Sequence, residues 1–147
     1  MCYQQLFDAE GDRSQDDGTL FSLSGEFLEA ARVLQATPHV RIGCSSATYY
    51  LLGHSAELML KAYLYKHGQT ISDLKKLNHD LGRLASCAKE AGLSEKVQLV
   101  QVLLLAGAYK EKSFEYRTRK SKKLPSLDLL TVEIERLQSA VFDRLWE

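Results

Sequence analysis

Four polar side chains recur at helical spacing inside the most apolar stretch of the chain, residues 45–68. Tyr50, His54, Glu57 and Lys61 follow one another at steps of four, three and four residues, which places side chains on one face of an α-helix. A glutamate and a lysine on an otherwise apolar helix must pair with each other or face a partner or a wet cleft. The stripe therefore predicts either an i,i+4 ion pair, with the histidine hydrogen-bonded nearby, or a functional cluster in a pocket between helices.

Three further residues could join this cluster from distant parts of the chain. His79 and Asp80 stand at the predicted start of a third helix, and Arg117 follows the predicted fourth helix. They reach the polar stripe only if the helix ends converge. The spacing of His54 and Glu57 also occurs in metal sites of helical bundles, but the sequence has no second Glu-x-x-His and no matching carboxylates to complete one. We therefore predict neither a metal nor a cofactor.

A second candidate site is the basic and aromatic segment of residues 109–123, YKEKSFEYRTRKSKK. Its seven lysines and arginines outnumber two glutamates, which gives a net charge of +5. Basic side chains neutralise phosphates and exposed aromatic rings stack on bases. The segment thus predicts contact with single-stranded RNA or a nucleotide, with Tyr116, Arg117 and Arg119 as binding candidates. The alternative is a solvated, charged helix end whose positive charge suits the C-terminus of a helix.

Other kinds of chemistry find no support in the sequence. It has no GxSxG elbow, no GxGxxG loop and no GxxxxGK[ST] loop. Cys2, Cys44 and Cys87 are far apart and form no CxxC pair, which favours a reducing compartment. The N-terminus lacks a basic start followed by an apolar core, and the most apolar helix carries charges. We expect a cytoplasmic protein without a signal peptide or a membrane partner.

Helical periodicity accounts for most of the chain, and its length suits one domain. We predict a loose acidic tail over residues 1–18 and a helical domain over residues 19–147. The fold class is all-α: an antiparallel up-and-down bundle of four core helices plus one additional helix. Its predicted helices, with a short turn at 71–76, are Leu20–Ala36 with an entry as late as Ser24, Ser45–Gly68, Asn78–Gly92, Ser94 to about Tyr116, and Ser126–Leu145.

Local signals also predict how these helices begin and which faces they bury. Asn78, Ser94 and Ser126 are expected to cap the third, fourth and fifth helices. Gly68 is expected to end the second helix. The predicted core stripe of the fourth helix is Val97, Val100, Leu104 and Ala108, and that of the fifth is Leu127, Leu130, Ile134, Leu137, Val141 and Leu145.

Three short motifs give the chain a resemblance to the HEPN family of small helical-bundle domains. They are AELMLKAYLYKHG in the second helix, NHDLGRLASCAKEAGL in the third and FEYRTRK after the fourth. These resemble the family's Glu-Leu-x-Leu-Lys helix, its His-Asp-Leu helix start and its late Tyr-Arg, within residues 40–140. The resemblance implies an up-and-down bundle, usually a homodimer, associated with RNA or nucleotide binding. Many members are metal-independent ribonucleases of toxin–antitoxin and defence systems, often beside a nucleotidyltransferase-like partner.

The ribonucleases of that family use an arginine followed, after four to six residues, by a histidine near the start of a late helix. Arg117 and Arg119 stand near the expected place, but no histidine follows His79. Arg32 and His39 have the right separation, but they lie at the end of the first helix with Pro38 between them, so we treat that match as chance.

We therefore expect a non-catalytic module that binds RNA, a nucleotide or a protein partner. Its candidate binding residues are His54, Glu57, Lys61, His79, Asp80, Tyr116, Arg117 and Arg119. One alternative is a ribonuclease toxin with a non-standard constellation, such as His54 or His79 with Arg117. Another is a pure assembly module, whose acidic tail and basic loop bind a partner or each other.

Overall fold

A computed structural model describes residues 16–37, 45–93, 97–111 and 123–146 of the 147-residue chain. Within these residues the chain forms helices packed into a bundle and has no strand, which confirms the predicted all-α fold. None of the described helices is long and apolar enough to cross a membrane. The six helices are α1 (Asp17–Ala36), α2 (Ser45–Lys66), α3 (Ile71–Lys76), α4 (Leu81–Glu90), α5 (Val100–Lys110) and α6 (Leu127–Leu145).

Helix α2 is the centre of the bundle and contacts each of the other five helices. A helix that is apolar nearly all round can be buried on several sides at once, and Leu52, Met59 and Leu60 are fully buried here. The helix ends where the sequence predicts. Gly68 has a φ of +98°, a conformation that glycine adopts without a steric penalty.

Helix α1 begins earlier than the sequence analysis predicts. Asp16 caps it by accepting a hydrogen bond of 2.7 Å from the backbone N–H of Thr19. Ser24, which we considered as the start, lies buried inside the helix and accepts a hydrogen bond at its carbonyl from the hydroxyl of Ser55. Asp17 and Gly18, which we predicted to belong to the tail, are therefore part of the helix. Residues 1–15 lie outside the described part of the chain.

The connection between α2 and α4 contains a helix in place of the predicted turn. Thr70 and Asp73 form a reciprocal capping box at the start of α3. Asn78 does not cap the next helix: it has a φ of 48° in the turn that follows α3, a conformation asparagine tolerates better than most residues. The cap of α4 is Asp80, which accepts a hydrogen bond from the backbone N–H of Arg83 at 3.1 Å.

Helix α5 differs most from its prediction. It starts at Val100, and its buried stripe is Val102, Leu105, Ala108 and Tyr109, whereas Val100 and Leu104 are exposed. No side chain of its own caps the N-terminus. Instead Glu133 of α6 accepts a hydrogen bond of 2.7 Å from the backbone N–H of Val102. The predicted cap Ser94 and the predicted end at Tyr116 lie outside the described residues.

Helix α6 matches its prediction. Ser126 caps it by accepting a hydrogen bond from the backbone N–H of Leu129. The predicted stripe from Leu130 to Leu145 is buried, and Leu127 packs at the edge of the core. This helix combines a clear amphipathic period with a strong local cap, so its own sequence determines both its start and its rotation.

The cap that α6 supplies to α5 can be tested by substitution. Replacing Glu133 by Ala removes the acceptor of the Val102 N–H, and we expect the free energy of unfolding to fall by about 1–2 kcal/mol. Burial raises the pKa of Glu133, so Glu133→Gln, which keeps an acceptor oxygen without a buried charge, should stay close to the wild type. Urea unfolding followed by circular dichroism measures both, with Asp143→Ala at an exposed position of α6 as the control. Equal losses in the Ala and Gln variants would contradict the capping role.

Candidate functional site

The carboxylate of Glu57 is the centre of a polar cluster on α2. Glu57 is 1% exposed, yet its two oxygens are surrounded by donors from three parts of the fold. Lys61, one turn further along α2, lies with its Nζ 2.8 Å from Oε1. His79, in the turn before α4, places Nδ1 2.8 Å from Oε1 and 3.1 Å from Oε2. Tyr109, from α5, donates its hydroxyl to Oε2 at 2.5 Å.

His54 joins the same cluster from the preceding turn of α2. Its Nδ1 lies 3.0 Å from the Tyr109 hydroxyl and 3.3 Å from Oε2 of Glu57. Because the tyrosine gives its only proton to the carboxylate, the tyrosine oxygen accepts from His54 Nδ1–H. An ionised carboxylate can only accept, so His79 also carries a proton on Nδ1. Both imidazoles therefore turn Nε2, the nitrogen on the other side of the ring, away from Glu57.

These partners keep Glu57 ionised inside the protein. Burial by itself raises the pKa of this carboxyl, but the hydrogen bonds from His54 and His79 and the charge of Lys61 outweigh burial and hold the pKa well below its usual range. A carboxylate that accepts from Lys61, His79 and Tyr109 and also has His54 beside it has little capacity left for an outside ligand. Its chemical role is to position the groups around it.

Aromatic packing fixes the cluster between α1, α2 and α5. The ring of Phe27 meets His54 edge-on at 4.5 Å, and Tyr50 stacks on His54 at 5.9 Å between ring centroids. Gly53 allows α5 to approach, because a Cβ at this position would lie only 2.5 Å from Cδ1 of Tyr109. Tyr50, the first residue of the predicted polar stripe, thus packs against the ring of His54 at the edge of the cluster.

A second ion pair lies beside the cluster and joins the start of α4 to the end of α5. The Nζ of Lys110 lies 3.1 Å from Oδ2 of Asp80. Asp80 directly follows His79 in the chain. Burial raises the pKa of Asp80, but the Arg83 backbone N–H and Lys110 outweigh it and lower the pKa overall. This carboxylate thus caps a helix and binds a lysine at the same time.

The structure brings together four of the predicted site residues and places a fifth beside them. His54, Glu57, Lys61 and His79 meet, and Asp80 is adjacent. Three others, Tyr116, Arg117 and Arg119, lie outside the described part of the chain and stay predictions.

Sequence reasoning missed the part that Tyr109 plays. We assigned this residue to the basic segment of residues 109–123, whereas its hydroxyl bonds the buried carboxylate of Glu57. One signal could have found it. Val102, Leu105 and Tyr109 follow one another at steps of three and four residues, which makes a second possible core stripe on the same helix.

Other titratable groups of the described chain do not add a site. Among the described residues, no group of three or more His, Cys, Asp or Glu side chains could hold a metal ion. His67, near the end of α2, bonds the carbonyl of Tyr63 through Nδ1 at 2.8 Å and accepts from Arg144 through Nε2 at 3.2 Å. Its two nitrogens therefore serve to tie the end of α2 to α6.

Comparison of the chain with family models, curated proteins and solved structures finds no match. The HEPN resemblance stays a prediction based on motif residues. Of those residues, Glu57 and Lys61 from the first motif and His79 from the second meet in the cluster.

Loss of the buried carboxylate should destabilise the fold in a pH-dependent way. We expect Glu57→Gln to lower the free energy of unfolding by about 3 kcal/mol near neutral pH, because Lys61 and the histidines lose their buried counter-charge. Glu57 has a lower pKa in the folded protein than in the unfolded chain. Its stabilisation is therefore present in full above the usual value of 4.5 and is lost as the pH falls towards the folded pKa.

Urea unfolding at about pH 5 and about pH 3 measures this difference, because the stabilisation from Glu57 is lost below 4.5 and histidines are already protonated in the unfolded chain at both values. Glu29→Gln, in an exposed pair with Arg32, is the matched control and should change stability little at either pH. A gap between wild type and Glu57→Gln that widens on acidification would contradict the assignment.

The close approach at Gly53 gives a separate prediction. Gly53→Ala forces the Tyr109 ring away from α2, and we expect a loss of about 1–3 kcal/mol in the free energy of unfolding. Gly25→Ala is the control, because its Cβ would make only an ordinary contact of 3.7 Å with Gln138. Alanine there should leave stability unchanged or raise it by about 0.5–1 kcal/mol. Thermal unfolding of the two variants measures the difference in their stabilities. Equal stabilities would show that the Tyr109 ring can move aside without cost.

Proposed function

We propose that this chain is a non-catalytic, HEPN-like helical module that binds RNA through its phosphates, at a face formed by His79 and Lys110. The observation that carries the proposal is the way His79 is held. Its Nδ1 is bound to a buried carboxylate, while its side chain is 55% exposed. The carboxylate fixes the orientation of the ring, and an exposed imidazole of fixed orientation can meet a phosphate oxygen at its outer edge.

The charge balance of the described groups shows where further attraction must come from. Glu57 and Lys61 neutralise each other, as do Asp80 and Lys110. Surplus positive charge therefore comes from the sequence that follows α5. Six more basic residues occur among the thirteen positions after Lys110, and Arg117 and Arg119 are among them. Phosphate neutralisation by several such residues is the usual basis of sequence-independent RNA affinity.

Different members of the cluster have different roles in this proposal. Glu57, Lys61 and Tyr109 position the histidines and do not contact RNA. His79 and His54 present their Nε2 edges to phosphate, and Tyr116 stacks on a base while Arg117 and Arg119 neutralise the backbone. A nucleotide shares the same phosphate chemistry. In keeping with the resemblance, the module works as a homodimer beside a nucleotidyltransferase-like protein in a toxin–antitoxin or defence setting.

A ribonuclease activity is the second candidate, and one observation favours it. The carboxylate of Glu57 orients His79 through Nδ1, the arrangement by which a general base is held in the productive tautomer. In that case His79 would remove a proton from the ribose hydroxyl, and Arg117 would neutralise the phosphate.

The RNA-binding proposal predicts a particular salt dependence. We expect His79→Ala and the double change Arg117→Ala/Arg119→Ala each to weaken binding of a single-stranded RNA oligonucleotide about tenfold. The arginine changes should also reduce the slope of log K against log salt by about one per residue removed. Fluorescence anisotropy across a salt series measures both, and Lys89→Ala on the far part of α4 serves as the control. Absence of binding at low salt, or equal binding by all variants, would overturn the proposal.

The same samples separate the two candidates. Intact RNA after long incubation with the wild-type protein supports a binding module. Cleavage that disappears in His79→Ala supports the ribonuclease.

A further inference from the structure

Helix α5 carries an uncharged apolar stripe on the side that faces away from the core. Val100, Leu103 and Leu104 are between 46% and 52% exposed, and Gly107 has open space where a Cβ would be. The four positions follow one another at steps of three, one and three residues, so they form one continuous face. Large apolar side chains that share one exposed face mark an interaction surface more often than scattered ones do.

The stripe is complementary to itself. If two copies of α5 cross in antiparallel orientation between Leu103 and Leu104, each Leu103 lies opposite the partner's Leu104, and each Val100 lies opposite the partner's Gly107. A large residue then faces a small one at both ends of the contact, which lets the two helices approach closely. A two-fold dimer requires such a self-complementary patch, because the same surface serves both copies.

Helices α4 and α6, which pack against α5, also present surface near it. On α6, Leu129 is 58% and Val132 is 43% exposed, and Leu129 lies one turn before Glu133, which binds the N-terminus of α5. On the other side a groove of about 410 Å³ between α4 and α5 is lined in part by Val100 and Leu103. A stable interface buries about 800 Å² on each partner. The stripe of α5 alone falls short of that area, so the inferred interface must also include neighbouring surface of α4 or α6.

We infer that α5 is the two-fold interface of a homodimer, with the second copy crossing it antiparallel between Leu103 and Leu104. A second copy fits this face better than a charged partner does, because the stripe carries no charge before Lys110. In this register the two Lys110 residues lie about 20 Å apart along the paired helices, by the rise of 1.5 Å per residue. The inference adds a surface and a register to the proposed homodimer, and it holds whether or not the protein binds RNA.

Sedimentation equilibrium of the full chain tests the interface. The wild type should form a particle of twice the 16.6 kDa chain mass, and Leu103→Glu should weaken the dimer about tenfold or more, because it buries a charge against the partner's Leu104. Since Leu103 is exposed in the single chain, the circular dichroism spectrum of the Leu103→Glu variant should match that of the wild type. Val33→Glu, at an equally exposed valine of α1, is the control and should remain dimeric.

The register has its own test. A mixture of Leu103→Lys and Leu104→Glu chains should form a heterodimer in preference to either homodimer, because Lys and Glu then meet across the two-fold. A wild type that is monomeric at about 100 μM, a dimeric Leu103→Glu variant, or a mixture without preference would overturn the inference. If a monomeric Leu103→Glu variant still binds RNA, the proposed RNA binding does not depend on this interface. If the wild type forms the dimer but does not bind RNA, the interface is supported and the RNA-binding proposal is not.

Discussion

The buried carboxylate of Glu57 is the interaction on which the arrangement of the bundle depends. An ionised group in the interior costs several kcal/mol unless donors surround it, and this one is 1% exposed. Its own helix provides His54 and Lys61, but the remaining donors come from elsewhere. His79 arrives with the turn before α4 and Tyr109 arrives with α5. Only a bundle that docks both elements correctly leaves Glu57 fully paired, so the carboxylate selects one packing among many that would bury the same leucines.

Helix α5 shows how such polar anchors determine a helix that its own sequence leaves undetermined. It is apolar on almost every side, so several rotations would bury a comparable area. Two carboxylates settle the rotation. Glu133 binds the backbone at its first turn, and Glu57 binds Tyr109 in its last turn. Once both anchors are made, Val100, Leu103 and Leu104 must face outward. The exposed stripe is therefore a consequence of the hydrogen bonds that two buried carboxyl groups make to α5.

The hydrogen bonds to Glu57 position the other side chains of the candidate site. The side-chain atoms that Glu57 binds are held in place by the buried carboxylate. His79 thus has a fixed orientation while its side chain stays 55% exposed. The contacts of Glu57 also explain how a helix at the centre of the core can carry His54, Glu57 and Lys61, because these residues are partners of one another.

The sequence by itself determined the features that depend on neighbours a few residues away. The end of α2 at Gly68, the cap of α6 at Ser126 and the buried stripe of α6 follow from local hydrogen bonds and from a single clear period. The polar stripe of α2 was equally visible, together with the need for its charges to be paired. Tertiary structure decided which distant donors met that need. It brought Tyr109 to Glu57, chose Asp80 over Asn78 as a cap and rotated α5 against its predicted stripe. The physical reason is that a buried charge is satisfied by whichever donors the fold brings near it, and no local pattern records which ones those are.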